Sequence, residues 1–84
     1  MAKVEIYTTS ICPFCHAAKK LLTDKGADFS EISLTQEPHL RGRMVERANG
    51  ARTVPQIFIN DVHIGGCDDL YALDSKGELD PLLC

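Results

Sequence analysis

The sequence predicts an α/β fold, a four-stranded mixed sheet flanked by three helices in the order βαβ-α-ββ-α. Three observations carry this. Residues with period-two alternation are followed directly by residues at helical spacing, two apolar runs are separated by only Asn60-Asp61, and the chain has room for one core. With 84 residues, 44% of them hydrophobic, and no polar low-complexity tract, residues 1–84 are read as a single domain.

The first strand is Lys3-Val4-Glu5-Ile6-Tyr7-Thr8, which alternates and is rich in β formers. A short loop, Thr9-Ser10-Ile11, leads to Cys12-Pro13. Phe14, Ala17, Ala18, Leu21 and Leu22 then recur along one helical face, with Lys19, Lys20 and Asp24 opposite. Pro13 suits the first helical position, where its missing N–H costs nothing, and Gly26 suits a left-handed stop. Phe29 to Leu34 reads as a second strand, parallel to the first through a right-handed crossover. Leu40, Met44, Val45 and Ala48 mark a second helix ending at Asn49-Gly50, with Gly42 inside it at a cost of about 1 kcal/mol relative to Ala.

After Thr53-Val54-Pro55, Gln56-Ile57-Phe58-Ile59 is expected to pair with Val62-His63-Ile64 across a tight turn at Asn60-Asp61. Gly65-Gly66 is expected to break that strand. Asp68 and Asp69 open a last helix, where acidic side chains complement the dipole, and Gly77 ends it. Leu79 to Cys84 is expected to trail as an irregular capping segment.

Charge and hydropathy exclude several classes. The net charge of −3 leaves no overall footprint for nucleic acid, although Arg41, Arg43, Arg47 and Arg52 cluster locally. No apolar run approaches the roughly 18 residues of a membrane helix. The residues from Met1 to Glu5 lack the apolar segment of a secretion signal, so the expected compartment is the cytoplasm, where thiols stay mostly reduced.

The cysteines are Cys12, Cys15, Cys67 and Cys84. A structural zinc site would need a second ligand pair at comparable spacing, and His16, His39, His63, Cys67 and Cys84 form none. No metal is expected, and the pattern favours redox chemistry. An ordinary thiol, with a pKa of about 8.5, is mostly protonated at neutral pH, whereas the nucleophile in disulfide exchange is the thiolate. Cys12 precedes a helix whose unpaired N–H groups and positive dipole end favour an anion. Cys15 lies one turn in, so its N–H can point at the Cys12 sulfur. Side chains at i and i+3 start about 5–6 Å apart, within reach of a disulfide. Cys12 is therefore the attacking thiol and Cys15 the resolving one.

Three motifs in order carry a resemblance. Cys12-Pro13-Phe14-Cys15, Thr53 to Ile59 (TVPQIFI) and Gly65 to Leu73 (GGCDDLYAL) resemble the glutaredoxins, most of all the short bacterial dithiol class, the glutaredoxin 3 type. The resemblance runs from the first strand to the end of the chain and implies a thioredoxin-like fold. It implies glutathione as cosubstrate and the reduction of glutathionylated proteins and small disulfides by a cytoplasmic monomer. It also implies that Pro55 is cis and beside the redox sulfur, turning the Val54 N–H and C=O outward as a ledge on which glutathione pairs like a short strand.

By the same resemblance Phe14, Thr53, Val54, Pro55 and Gly66 contact glutathione. The Cys67 and Asp68 amides hold its γ-glutamyl carboxylate at a helix N-terminus. An aspartate takes the ammonium, and Asp68 and Asp69 both fit. Family members often carry Lys three residues before the nucleophile and Tyr between the cysteines, where this chain has Thr9 and Phe14. Arg41, with Arg52, is the candidate replacement for the missing cation, a solvated helix face being the plainer role for both.

His16 is expected to point along the helix away from Cys12, and His63 to be an ordinary strand residue. Cys67 is read as a small buried side chain, with a regulatory thiol as the other possibility, and Cys84 as an exposed tail thiol. Two competing functions remain. A redoxin recharged by thioredoxin reductase is disfavoured by the Gly66 to Asp69 site. An iron–sulfur carrier is disfavoured by Pro13, because a stiff turn and a ready second thiol favour disulfide closure.

Overall fold

The structure, a computed structural model, describes residues 2–84. The strands are β1 (Val4–Thr8), β2 (Ser30–Ser33), β3 (Gln56–Ile59) and β4 (Val62–Gly65). The helices are α1 (Pro13–Asp24), α2 (Arg41–Arg47), α3 (Cys67–Ser75) and α4 (Leu79–Leu83), with a 3₁₀ turn over Pro38–Leu40 ahead of α2. The sheet order is β2-β1-β3-β4. β1 runs parallel to β2 and antiparallel to β3, which is antiparallel to β4.

Period-two alternation divides the core between the two faces of the sheet. Val4, Ile6, Ile57 and Ile59 pack with Ala18, Leu21 and Leu22 of α1 and with Leu70 of α3. On the other face Tyr7 and Phe58 pack with Leu34, Met44 and Ala48. Arg47 closes that second cluster: its guanidinium lies 4.1 Å from the Phe58 ring centroid and donates to Glu5 at 2.9 Å and to the Tyr7 hydroxyl at 3.0 Å.

The turn chemistry is as the sequence suggests. Gly26 adopts φ +73° after α1, and Asn60 and Asp61, at +51° and +67°, form a two-residue hairpin turn with both residues left-handed. Three expectations are corrected. Leu40 belongs to the 3₁₀ turn, because Pro38 starts the helical segment two residues earlier. Gly65, at φ +120°, is the last residue of β4 and pairs with Ile57, so the strand breaks after it. Leu79 to Leu83 forms a fourth helix where an irregular tail was expected. Leu79 is fully buried in the first core cluster, and Lys25 ties α4 to α3 through Asp80 at 2.9 Å and Asp74 at 2.6 Å.

This topology gathers three chain ends at one edge. Because β3 opposes both β1 and β4, the end of β1, the start of β3 and the end of β4 lie together. From that edge emerge the loop into α1, the segment before Gln56, and the turn into α3. Gly65 is required at the last of these: an added methyl would land on the Asp69 carboxylate, and its φ lies where L side chains rarely go. Gly65→Ala should therefore destabilise the protein by about 2–4 kcal/mol through backbone strain and loss of the Asp69 cap. Gly66→Ala, whose methyl would meet only the Pro55 carbonyl at 3.4 Å, should cost under about 1 kcal/mol. Urea denaturation of the two variants checks the ordering.

Candidate active site

Cys12 is the N-cap of α1, in extended conformation (φ −153°, ψ 97°), and Pro13 occupies the first turn. Its backbone carbonyl starts the helix by accepting from His16 N–H at 3.2 Å, and its sulfur accepts the Cys15 N–H at 3.1 Å. The amide that the sequence places toward the nucleophile is on it. An N-cap oxygen usually satisfies such a donor; here sulfur does, which stabilises negative charge on that atom.

Cys15 is fully buried, whereas Cys12 retains 8% exposure. All four cysteines are free thiols. Burial first, and then the adjacent Cys12 sulfur, push the Cys15 thiol up to about 12, against smaller opposing effects of the Thr9 backbone and Lys19. The buried partner therefore keeps its proton at neutral pH. Two of the causes that hold the Cys15 thiol up, a hydrogen bond and a charge, come from Cys12, so a bond from Cys12 to another sulfur would make Cys15 easier to deprotonate.

The Val54–Pro55 peptide is cis. The Val54 carbonyl faces the nucleophile and accepts from Cys12 Sγ at 3.8 Å, so the ledge and the redox sulfur meet. Beside them opens a cleft of ≈360 Å³. Eight sequence-assigned contacts line it: Phe14 on one wall, Thr53, Val54 and Pro55 on the second, and Gly66, Cys67, Asp68 and Asp69 on the third. Arg41 does not line the cleft; its Nη1 donates to the Arg52 carbonyl at 2.7 Å.

At the α3 end, Asp69 Oδ2 accepts the Gly66 N–H at 2.9 Å. The first intrahelical bond runs from Leu70 N–H to Gly66 C=O at 3.1 Å, so the Cys67 and Asp68 amides precede the helical ladder and have no intrahelical acceptor. Asp69 is thus engaged as a cap, while Asp68 is exposed and makes no hydrogen bond or ion pair among the described residues. Cys67 is buried, and burial, then the Asp68 carboxylate and the Cys12 sulfur, push its thiol upward. It lies in the cleft wall with the same 8% exposure as Cys12.

His16 lies away from the cleft, in a separate groove of ≈440 Å³ with Lys19 and Glu31. Among the described residues no three His, Cys, Asp or Glu side chains gather as metal ligands. No helix among them is long and apolar enough to cross a membrane. Three features escaped the sequence reading. Ile11 is 91% exposed directly beside the nucleophile. Gln56 and His63 both line the cleft and are bonded to each other at 2.7 Å. Only Gln56 carried a signal, as the one polar residue in an otherwise apolar strand.

A thioredoxin-like sheet with a dithiol at the mouth of α1 and a cis proline against it defines the class of thiol–disulfide oxidoreductases. Within that class the chain belongs to the glutaredoxin family, whose model matches residues 4–64. It is 58% identical to Escherichia coli glutaredoxin 3 over 83 residues, covering 99% of each chain, which supports the glutaredoxin 3 type. It is also similar to the solution structure of a Brucella melitensis glutaredoxin (57% identity, TM-score 0.85, 99% of this chain and 89% of that one). A third likeness is the crystal structure of a buckwheat glutaredoxin–glutathione complex (33% identity, TM-score 0.90, 98% of this chain and 76% of that one).

The dependence of Cys15 on its neighbour is measurable. In Cys12→Ser the Cys15 pKa should fall below about 12 yet stay above that of an ordinary thiol, since burial persists. Titration of ¹³C-labelled cysteine Cβ resonances reads this directly; an unshifted Cys15 would contradict that dependence.

Proposed function

We propose that the protein is a cytoplasmic, monomeric, glutathione-dependent disulfide reductase that acts on glutathionylated proteins and small disulfides as one domain. The observation that carries this is the placement of the Cys12 sulfur, amide-stabilised, at a cleft whose far wall is the open N-terminus of α3. That distance-spanning pair suits a molecule with a sulfur at its centre and a carboxylate at one end. The buckwheat relative is described in complex with glutathione, which has that form.

In the proposed cycle the Cys12 thiolate attacks the glutathionyl sulfur of a mixed disulfide, and the substrate leaves as its own thiolate. The new bond joins Cys12 to glutathione. A second glutathione thiolate then attacks that glutathionyl sulfur, releasing oxidised glutathione and restoring Cys12. Alternatively Cys15 attacks Cys12 Sγ and expels glutathione, closing the internal disulfide. The Val54 backbone would pair with the cysteinyl unit of glutathione, flanked by Thr53, Pro55 and Phe14. The Cys67 and Asp68 amides beyond Gly66 would hold the γ-glutamyl carboxylate. Asp68, whose carboxylate is free, would take the ammonium, with Asp69 left to its cap. Arg41 would place positive charge at the Arg52 end of the ledge, near where the glycine carboxylate falls.

Cys12→Ser should lower deglutathionylation at least about a hundredfold, because no other thiol reaches the cleft as a nucleophile. Cys15→Ser should retain deglutathionylation within about threefold while losing the internal disulfide. Glutathione with glutathione reductase, compared with thioredoxin reductase in a coupled assay, should sustain turnover; turnover with thioredoxin reductase alone would overturn the glutathione assignment.

A further inference from the structure

The segment Arg52-Thr53-Val54, the proposed ledge, has no backbone–backbone hydrogen bond among the described residues outside the regular elements. Its three successive carbonyls are instead each held by a side chain. Arg52 C=O accepts from Arg41 at 2.7 Å, Thr53 C=O from Gln56 Nε2 at 3.0 Å, and Val54 C=O from Cys12 at 3.8 Å while that thiol keeps its proton. This stretch of the cleft wall is thus held by side chains.

Gln56 is the central hold. It is 3% exposed, at the first position of a strand whose other residues are apolar and buried. Its Nε2 also donates to Thr53 Oγ1 at 3.2 Å, so both amide protons go to one residue. The amide oxygen is left to accept, and His63 Nε2 lies 2.7 Å from it. That nitrogen must therefore carry the proton, which fixes the histidine's donor atom. His63 in turn stacks on Phe58, with ring centroids 5.2 Å apart and planes tilted by 34°, while Arg47 covers the same Phe58 ring. A continuous chain thus runs from the packed sheet through His63 and Gln56 to Thr53.

We infer that His63 and Gln56 are positioning residues for substrate recognition: their relay holds the Thr53–Val54 backbone at the height and angle glutathione needs. This rests on the glutathione reading above and extends it to two residues that touch neither the reacting sulfurs nor the α3 anion site. An unheld Thr53 carbonyl would turn toward water, and the ledge with it, while Cys12, its amide and Cys15 would stay in place on α1. The loss should fall on substrates that use the ledge and spare those that need only the thiols.

The test is a single-turnover measurement on the fully reduced protein without added glutathione, using a glutathionylated peptide and bis(2-hydroxyethyl) disulfide as separate substrates. In wild type the glutathionylated peptide should be strongly preferred. His63→Leu and Gln56→Leu should raise its half-saturating concentration (the single-turnover counterpart of KM) about five- to tenfold, as expected for one lost hydrogen bond to a positioned group, with the limiting rate and the hydroxyethyl disulfide rate changed less than about twofold. His63→Gln, which restores an amide donor facing Gln56, should return that concentration to near wild type. Equal losses on both substrates, or none on either, would overturn the inference. Absence of any preference in wild type would overturn the glutathione reading beneath it.

Discussion

The structure turns on one hydrogen bond, the 3.1 Å contact from the Cys15 amide to the Cys12 sulfur. It requires that Cys12 be the N-cap of a helix, extended in backbone while the next residue is helical, and that the residue three positions on be one turn deeper. Pro13 meets the first condition, since its fixed φ suits the first turn and it has no N–H to compete for the sulfur. The same geometry places the second sulfur within reach of the first and out of reach of solvent. Two chemically identical side chains are thereby given different environments, one sulfur accepting an amide at the helix mouth and the other fully buried. Desolvation one turn inside makes an anion at Cys15 costly, so that thiol keeps its proton.

Around that contact the sheet performs a topological service. Opposed strand directions deliver the loop into α1, the cis-proline segment and the turn into α3 to one edge, with two apolar clusters fixing the helices on opposite faces. The polar groups gathered at that edge are consequently mostly backbone: an amide at Cys15, carbonyls at Thr53 and Val54, amides at Cys67 and Asp68. Side chains act by holding those groups in place. Asp69 caps α3 and leaves Asp68 free, Arg41 grips Arg52, and Gln56 grips Thr53. Gly65 is the counterpart of these holds, a position kept empty so that Asp69 can reach its cap.

What was legible in the sequence is what depends on neighbours along the chain. The first helix announces itself through Cys12-Pro13, its apolar face and Gly26, and the hairpin through Asn60-Asp61, because each is a local backbone condition. The nucleophile and resolving thiol follow from a three-residue spacing. The fourth helix was not legible: five residues around Pro81 show no periodicity, and it forms because Leu79 is buried and Asp80 finds Lys25, both tertiary events. That Asp69 rather than Asp68 caps the Gly66 N–H was not legible in the sequence. The pairing of His63 with Gln56 joins two strands whose cross-strand contacts no composition rule predicts. Arg41 marks the same boundary, since helical position gives its charge but not its grip on Arg52.

The most direct measurement is the amide resonance of Cys15 before and after selective S-methylation of Cys12. With the amide donating to the Cys12 sulfur, its proton should resonate well downfield in the reduced protein and move upfield on methylation by more than any other backbone amide. An amide that exchanges freely with water and is unmoved by methylation would contradict the account.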